Sequence, residues 1–327
     1  MKKYNVLYTS DSRFFCHMLT SIYSLLKNNK NKDIVIHIIE YGFTEYQKKL
    51  LYELEKNYSC NIILYSMDDF ISVINKYNVP KWRGTDIANA RLFACEFIKN
   101  LEKLLYIDSD TIIVDSIEEL FNIKMNNPVG AVKELFIPSH MDGILSKYYN
   151  SGVILFDYDM WEKDNCMNLL YSCLEKNRDI LFYPDQDLLN MALEGRIDTL
   201  NISYNFPSFV YEIFKYPLLT KKYFEKESIL YDYYEISESL KDVVILHMLE
   251  YFYVKPWEKN SVHPFNKIYR EYRTMWDNDF QLSNNNSLIS KIKLISFFNC
   301  CLKAFLKKDD LDEIKKFLKI YKGPEKR

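Results

Sequence analysis

The segment at residues 104–114 constrains the fold more than any other, because two acids separate two apolar runs in it. The runs at 104–107 and 111–114 have the length and β-rich content of buried strands. Asp108 and Asp110 stand between them, and two carboxylates are costly to bury without a partner. A divalent cation is the usual partner, so the pattern predicts a metal site. Asp and Ser also favour turns, so a hairpin turn fits equally well.

Strand-like and helix-like segments alternate before this point. The strand patterns cover residues 5–9, 33–40 and 61–65, and the helix patterns cover 14–26 and 44–58, with Thr44 as the predicted cap of the second helix. This order predicts an open α/β sheet of parallel strands with a ligand crevice at their carboxyl ends. Asp11 follows the first strand, where it would line that crevice or cap the next helix.

Two single residues stand out in apolar surroundings. Arg91 lies among alanines, Leu92 and Phe93 in a helix predicted at 86–99. A buried arginine requires an acid or a phosphate as its partner. Gly152 lies near the start of a predicted strand at 150–156, which indicates a close approach of another group to the backbone.

Three polar residues open a later helix, and two basic ones follow a late strand. Asp185 and Asp187 flank Gln186, and the helix dipole would favour such acids even without another role. His247 ends a predicted strand at 243–246 and precedes Lys255. Taken alone, a histidine in that position is more often structural than a metal ligand.

Composition excludes several classes of function. The 43 basic and 45 acidic residues nearly cancel, which argues against nucleic-acid binding. Only 7 glycines are present, and neither a P-loop nor a GxGxxG motif occurs. The 7 scattered cysteines predict a reduced, cytoplasmic chain. The amino terminus has no apolar signal segment, and no apolar run reaches the ~18 residues of a membrane span.

The carboxyl-terminal tail has a different character. From residue 288 an apolar stripe with helical spacing carries lysines and phenylalanines. Such a helix would pack on the rest of the protein or on a partner, or it would lie on an anionic membrane surface. We therefore divide the chain into a domain at 1–265 and a helical, basic and aromatic extension at 266–327.

A series of motifs over residues 4–257 resembles glycosyltransferase family 8, which includes bacterial lipopolysaccharide galactosyl- and glucosyltransferases and glycogenin. The motifs are Asp11 with the helix after it, Ala90-Arg91-Leu92, Leu105-Tyr106-Ile107-Asp108-Ser109-Asp110, Tyr149-Asn150-Ser151-Gly152-Val153, Asp185-Gln186-Asp187, Tyr204-Asn205-Phe206, and His247 with Lys255-Pro256-Trp257. Asp-x-Asp alone is a weak signal, but the ordered series is specific. Two departures are the long, glycine-free span between His247 and Lys255, and Arg13, which stands where many members have a small polar residue.

The resemblance implies a GT-A fold, an open mixed sheet flanked by helices, and a retaining enzyme. It also implies a UDP-sugar donor, UDP-glucose or UDP-galactose, and Mn²⁺ or Mg²⁺ held by Asp108, Asp110 and His247. Two carboxylates and one imidazole suit Mn²⁺ better than Ca²⁺. The acceptor would be a glycan or lipid-linked oligosaccharide, reached in the cytoplasm. Peripheral contact of the carboxyl-terminal helix with the inner membrane surface is an alternative inferred from the tail alone.

The resemblance also implies roles for individual residues. Donor binding would fall to Thr9, Asp11, Arg91, Asp108, Ser109 and Lys255. Contacts with the sugars would fall to Glu134, Asn150 and Asp187. Asp185 would orient the donor sugar, and Gln186 would face the anomeric carbon. Because an amide is a poor nucleophile, front-side attack is the favoured route to retention.

Two other functions fit parts of the pattern. A non-catalytic nucleotide-sugar binder would be consistent with the unusual span between His247 and Lys255. A nucleotidyltransferase also uses metal-bound acids on an open α/β sheet. That class has a glycine-rich, basic segment after its first strand, whereas residues 10–14 contain no glycine. We therefore rank glycosyl transfer first.

Overall fold

The computed structural model describes residues 2–82, 84–208, 210, 230–249, 255–259, 261 and 263–282. Its first part alternates strands and helices. These elements are β1 (Lys3–Asp11), α1 (Phe15–Asn28), β2 (Asp33–Tyr41), α2 (Glu45–Tyr58), β3 (Asn61–Ser66) and α3 (Met67–Lys76). Thr44 caps α2 as predicted, in a reciprocal capping box with Gln47. The sequence analysis did not anticipate α3.

The second part contains the remaining strands of the main sheet and the helices that cover it. These elements are α4 (Ala90–Phe97), β4 (Lys103–Ile107), β5 (Thr111–Ile113), α5 (Glu118–Asn122), β6 (Val129–Lys133), β7 (Tyr149–Asp157), α6 (Tyr158–Lys163), α7 (Cys166–Asn177), α8 (Pro184–Ala192) and β8 (Ile197–Thr199). The helix predicted at 86–99 begins only at Ala90, because residues 86–89 form turns.

The last described elements are short. They are β9 (Phe206–Pro207), α9 (Tyr233–Ser239), β10 (Ile245–His247) and α10 (Asn266–Arg273), with 3₁₀ turns at Arg178–Ile180 and Ile202–Asn205. Residues 283–327 lie outside the described residues, and so does most of the predicted helical extension. The domain boundary at 265 therefore stays a prediction. Within the described ranges no helix is both long and apolar enough to cross a membrane.

The main sheet has seven strands in the order β3-β2-β1-β4-β7-β6-β8. Strands β3, β2, β1 and β4 are parallel, whereas β7 runs antiparallel between β4 and β6. This confirms the predicted open, mixed α/β sheet. The carboxyl ends of β1 and β4 and the amino end of β7 therefore lie at one edge. That edge brings Asp11, Asp108 and Gly152 onto the same side of the molecule.

A second sheet of three strands, ordered β5-β10-β9, stands beside the first. The Asp108–Asp110 turn joins β4 of the large sheet to β5 of the small one, so it does not close a hairpin. Strand β10 pairs antiparallel with β5 and places His247 opposite Thr111. The pairing carries a histidine from late in the chain to the turn that holds the two acids.

Apolar packing covers both faces of the main sheet. Successive residues of β1 enter different clusters: Val6 packs with Ile22 of α1, and Leu7 packs with Phe93 of α4. The side chains of a strand alternate between faces, so a strand buried on both sides is apolar at nearly every position. This burial makes the sheet a rigid support for the loops at its carboxyl edge.

Candidate metal and donor site

Asp108, Asp110 and His247 come together at the junction of the two sheets. One ligand atom from each lies within 4.8 Å of the others. Nε2 of His247 is 3.3 Å from Oδ1 of Asp110 and 3.7 Å from Oδ2 of Asp108. Among the described residues this is the one group of acids, histidines and cysteines with the spacing of a metal site. The predicted ligand set is thus assembled in space.

Gly152 leaves the room that this cluster requires. A Cβ atom there would lie 2.4 Å from Cε1 of His247 and 2.8 Å from Oδ2 of Asp108. The carbonyl oxygen of Gly152 accepts a 2.7 Å hydrogen bond from the Asp108 amide, which holds β7 against the Asp108–Asp110 turn. This confirms the close approach predicted from glycine at this position.

Arg91 is buried and joins two of the predicted site residues. Nη1 lies 3.0 Å from Oδ1 of Asp108 and 3.5 Å from Oδ2 of Asp185. The same atom donates to the carbonyl oxygen of Ser151 at 2.9 Å, and Nε donates to that of Ala88 at 2.8 Å. These partners account for a charged side chain in an apolar helix, as predicted.

Lys255 reaches the cluster despite the long span after His247. Its Nζ donates to Oδ2 of Asp110 and to the carbonyl oxygen of Met248, each at 2.6 Å. Residues 250–254 of that span lie outside the described residues. The spacing therefore does not keep Lys255 away from the position where a diphosphate would meet the metal.

The two acids have opposite electrostatic surroundings. Burial raises the pKa of Asp108, although Arg91 acts against it. Burial would also raise the pKa of Asp110, but Lys255 and His247 outweigh that effect and hold it well below the ordinary value. The electrostatic repulsion between the two carboxylates is thus only partly offset by the basic side chains around them.

The donor set fits a divalent cation. Two carboxylate oxygens and an imidazole nitrogen converge within 4.8 Å, and Gly152 leaves the space beside them free of side chain. Mixed oxygen and nitrogen ligands suit Mn²⁺, and a carboxylate-dominated set also accepts Mg²⁺. Asp108, Asp110 and His247 would hold the ion.

The motif asparagines connect His247 to the sugar side of the site. Nδ1 of His247 is 2.7 Å from Oδ1 of Asn205, and Nδ2 of Asn205 donates to Oδ1 of Asn150 at 2.7 Å. Nδ2 of Asn150 then donates to Oε1 of Glu134 at 2.7 Å. The sequence analysis quoted Asn205 in a motif but gave it no role.

Gln186 lies at the start of α8 and faces the same region. Its Oε1 accepts from the Ser151 amide at 3.0 Å, and its Nε2 donates to Oε1 of Glu134 at 3.4 Å. Asp185 accepts a 2.7 Å bond from the Ser151 hydroxyl. The structure therefore links Asp185, Gln186, Glu134 and Asn150 through direct hydrogen bonds and Ser151, and their contacts with sugars stay predictions.

Asp187 lies apart from this group. Its side chain is fully buried, and its Oδ2 accepts from the amides of Phe182 and Tyr183 at 2.7 Å each. Its Oδ1 accepts from the Tyr148 hydroxyl, and Nε2 of His140 is 3.0 Å from Oδ2. A direct sugar contact by Asp187 stays a prediction, and the structure places this carboxylate among protein donors.

The residues predicted to hold the nucleotide surround the carboxyl end of β1. Oδ1 of Asp11 accepts from the amides of Arg13 and Phe14, at 3.0 and 2.9 Å, so Asp11 shapes the turn before α1. The Ser109 hydroxyl donates to the Thr9 carbonyl oxygen at 3.1 Å. Their contacts with a nucleotide stay predictions.

Tyr106 is a site residue that sequence reasoning missed. Its hydroxyl donates to Oδ1 of Asp108 at 2.5 Å and lies 3.2 Å from the Thr9 hydroxyl. The signal was available, because Tyr106 and Asp108 are two positions apart and share a face of the extended chain.

The model for the family described as glycosyl transferase family 8 matches residues 5–261. A Haemophilus influenzae protein named as a glycosyltransferase is 26% identical over 62% of this chain, and the match covers 63% of that protein. Lipopolysaccharide 1,2-glucosyltransferase of Escherichia coli K12 is 26% identical over 81% of this chain and 76% of its own length.

A solved structure supports the same fold. The galactosyltransferase LgtC, crystallised with donor and acceptor sugar analogues, superposes with a TM-score of 0.67 at 19% identity. The superposition covers 89% of this chain and 100% of LgtC. The predicted GT-A fold is thereby confirmed. With the family model spanning both sheets and every motif of the site, the chain belongs to glycosyltransferase family 8.

Proposed function

We propose that this protein transfers a hexose, glucose or galactose, from a UDP-sugar to a glycan or glycolipid acceptor with retention of configuration, in a Mn²⁺- or Mg²⁺-dependent reaction. The observation that carries the proposal is the convergence of Asp108, Asp110 and His247, with their ligand atoms within 4.8 Å. The alternative of a non-catalytic binder loses its main support, since Lys255 reaches Asp110 at 2.6 Å.

The chemistry requires positive charge where the sugar–phosphate bond breaks. A divalent cation, when bound, supplies Lewis-acid stabilisation of the departing diphosphate. Lys255 adds a second positive charge, and it can exchange its bond to Asp110 for a phosphate oxygen. Thr9, Asp11 and Ser109 at the end of β1 would hold the nucleoside portion of the donor.

The donor sugar would lie between α4, α8 and the start of β7. Arg91 fixes Asp185 by an ion pair, and the Ser151 hydroxyl holds the same carboxylate. These contacts preorganise Asp185 to orient the sugar hydroxyls. Glu134 and Asn150 are joined by a 2.7 Å bond and are the further candidates for sugar contacts.

The family resemblance implies retention of configuration, and Gln186 would face the anomeric carbon. Gln186 is an amide whose oxygen is already bonded to a backbone N–H. Such a group is a poor nucleophile, unlike the carboxylate of retaining glycosidases. Front-side attack is therefore the favoured route, in which a leaving-phosphate oxygen accepts the proton of the acceptor hydroxyl.

Exposed aromatic residues before α8 favour a glycan acceptor. Phe182 is 63% exposed and packs edge-on against Tyr183, and the ring of Tyr183 is 5.3 Å from that of Trp82. Aromatic faces stack on the apolar faces of sugars.

We place the reaction in the cytoplasm, and contact of residues 283–327 with the inner membrane surface remains a prediction from the tail sequence.

Donor hydrolysis tests the proposal directly. The purified protein is incubated with UDP-glucose, UDP-galactose or UDP-N-acetylglucosamine, with Mn²⁺ or with EDTA, and released UDP is measured. We expect metal-dependent release from one of the two hexose donors. UDP binding without release from any donor, also with lipopolysaccharide oligosaccharide acceptors added, would support the binder instead. Absence of UDP binding would reject both functions.

A further inference from the structure

A chain of amide hydrogen bonds runs from the backbone of β7 to the imidazole of His247. The Gly152 N–H donates to Oδ1 of Asn150 at 2.8 Å, and Nδ2 of Asn205 donates to the same oxygen at 2.7 Å. Oδ1 of Asn205 then faces Nδ1 of His247 at 2.7 Å. Asn150, Asn205 and His247 are all buried, so water does not offer alternative partners.

The backbone sets the direction of this chain. An N–H can only donate, so the atom of Asn150 that faces Gly152 must be the amide oxygen. The amide nitrogen of Asn150 then points to Glu134, whose carboxylate can only accept when ionised. Because Asn150 presents an oxygen to Asn205, the facing atom of Asn205 must be its NH₂ group.

The same logic reaches the histidine. With its NH₂ group turned to Asn150, Asn205 presents Oδ1 to His247, and an acceptor at 2.7 Å requires hydrogen on Nδ1. With hydrogen held on Nδ1, Nε2 is the ring nitrogen left to bind a cation. That atom is the one directed at Asp110 and Asp108, at 3.3 and 3.7 Å.

We propose that Asn205 is a positioning residue that holds hydrogen on Nδ1 of His247, so that Nε2 is always the nitrogen presented to the cation. This inference rests on the proposed metal-dependent function. An amide takes the place that a carboxylate or backbone carbonyl holds behind many metal-bound histidines. It orients the ring without adding a further negative charge to a site that already contains Asp108 and Asp110.

The opposite tautomer would leave a conflict in either orientation of the Asn205 amide. With hydrogen on Nε2, the lone pair of Nδ1 would face Oδ1 of Asn205, which is another acceptor. Turning the Asn205 amide over would move the conflict to Asn150, whose own orientation the Gly152 N–H fixes. The series of hydrogen bonds from Gly152 to His247 therefore disfavours that tautomer, because a buried mismatch leaves polar groups unsatisfied.

The first test reads the tautomer without metal or turnover. Nitrogen NMR of histidine-labelled, metal-free protein distinguishes protonated from unprotonated ring nitrogens, and the chain has only 5 histidines. His247→Gln serves to assign the signal. We expect hydrogen on Nδ1 of His247 in the wild-type protein. Hydrogen on Nε2 alone would overturn the proposal.

The second test measures Mn²⁺ affinity by calorimetry in three variants. Asn205→Ala removes the acceptor, and we expect the affinity to fall about 10- to 100-fold with loss of the fixed tautomer. Asn205→Asp retains an acceptor for Nδ1, so it should keep hydrogen on that nitrogen. Its second carboxylate oxygen faces Oδ1 of Asn150, so its Mn²⁺ affinity should fall between those of the wild-type protein and Asn205→Ala. Asn201→Ala removes a cap from the same 3₁₀ turn but none of the hydrogen bonds between Gly152 and His247. It should change neither the tautomer of His247 nor the Mn²⁺ affinity.

The outcomes separate this inference from the proposed function. Unchanged tautomer and Mn²⁺ affinity in Asn205→Ala would overturn the positioning role, whatever the enzyme does. Loss of hydrogen from Nδ1 in Asn205→Asp as well as in Asn205→Ala would also overturn it, since the acceptor would then be irrelevant. Failure to release UDP, together with hydrogen on Nδ1 and the expected ranking of Mn²⁺ affinities, would reject the transferase and leave the role of Asn205 intact.

Discussion

Two Asp-x-Asp patterns in this chain supply buried acids with opposite surroundings. Asp187 is 0% exposed and accepts from the amides of Phe182 and Tyr183 and from the Tyr148 hydroxyl. The side chains of Asp108 and Asp110 are 22% and 16% exposed and face each other and His247. Protein donors surround the first carboxylate on both oxygens. Asp108 and Asp110 each have a protein cation, Arg91 and Lys255, but also converge with His247 on a space that a metal ion would fill.

The difference shows how a structural acid can be told from a ligand acid. A buried carboxylate surrounded by N–H and O–H donors needs nothing further and stabilises the fold. Carboxylates that face another acceptor need a positive charge from outside the local chain. Changes at Asp187 should therefore affect folding, and changes at Asp110 should affect metal-dependent chemistry.

The largest expected effect is on turnover in Asp110→Asn. Loss of one anionic metal ligand should lower metal-dependent UDP release on the order of a thousandfold, since metal stabilisation amounts to several kcal/mol. Circular dichroism should show the same fold. Asp115→Asn is the matched control, because Asp115 is exposed in the same segment and lies outside the cluster. Undiminished turnover in Asp110→Asn would refute the metal assignment.

The second expected effect is on stability in Asp187→Ala. Removing the carboxylate leaves two backbone N–H groups without their acceptor, which should lower the free energy of unfolding by about 3 kcal/mol. Urea titration measures this loss, and calorimetry of the folded protein should show unchanged Mn²⁺ affinity. Asp179→Ala, at an exposed position in the turn before α8, should have little effect. A stable Asp187→Ala protein with impaired Mn²⁺ binding would contradict a structural role for Asp187 and indicate a role in metal binding.

Gly152→Ala should affect both properties. The new Cβ would lie 2.4 Å from Cε1 of His247, so the ring must move, which should cost about 2 kcal/mol of stability and weaken Mn²⁺ binding. Gly130→Ala is the control, since Gly130 lies in β6 of the same sheet and its Cβ would lie 3.0 Å from Leu200, with no metal ligand among the nearest atoms. It should lose stability alone. Equal Mn²⁺ affinity in the two variants would contradict the tight fit at Gly152.

The smallest expected effect concerns a buried base and depends on pH. Burial lowers the pKa of His37 to about 4, so between about pH 6.5 and pH 4 the unfolded chain binds the proton and the folded chain does not. Stability is therefore full above that window and falls as the pH decreases through it. Between pH 7.5 and 5.5 the wild-type protein should lose about 1.4 kcal/mol more than His37→Gln does, by urea titration. An equal loss in both proteins would show that His37 does not contribute.

Much of the fold could be predicted because its signals are local. The first three strands and two helices lie where the apolar spacing indicated, and Thr44 caps α2 as expected. Arg91 required an acid, and it has Asp108 and Asp185. In contrast, α3 was missed, and residues 86–89 form turns although their composition allowed a helix. Propensity is a weak prior that tertiary contacts override.

The roles of individual residues within the site were harder to predict from the sequence. Asp185 and Asp187 look equivalent in sequence, yet one pairs with Arg91 and the other is enclosed by Phe182 and Tyr183. Tyr106 and Asn205 were missed as site residues because a tyrosine in an apolar strand and an asparagine in a turn have ordinary structural explanations. Only their partners, Asp108 and His247, distinguish them.

The sequence by itself determined the alternating α/β order and the pair of acids after β4, because each depends on neighbours along the chain. The tertiary structure decided that β7 runs antiparallel beside β4 and that β10 brings His247 to Asp110. It also decided which nitrogen of His247 faces the metal position. These features depend on pairing between distant segments, whose free energy comes from contacts that no local pattern records.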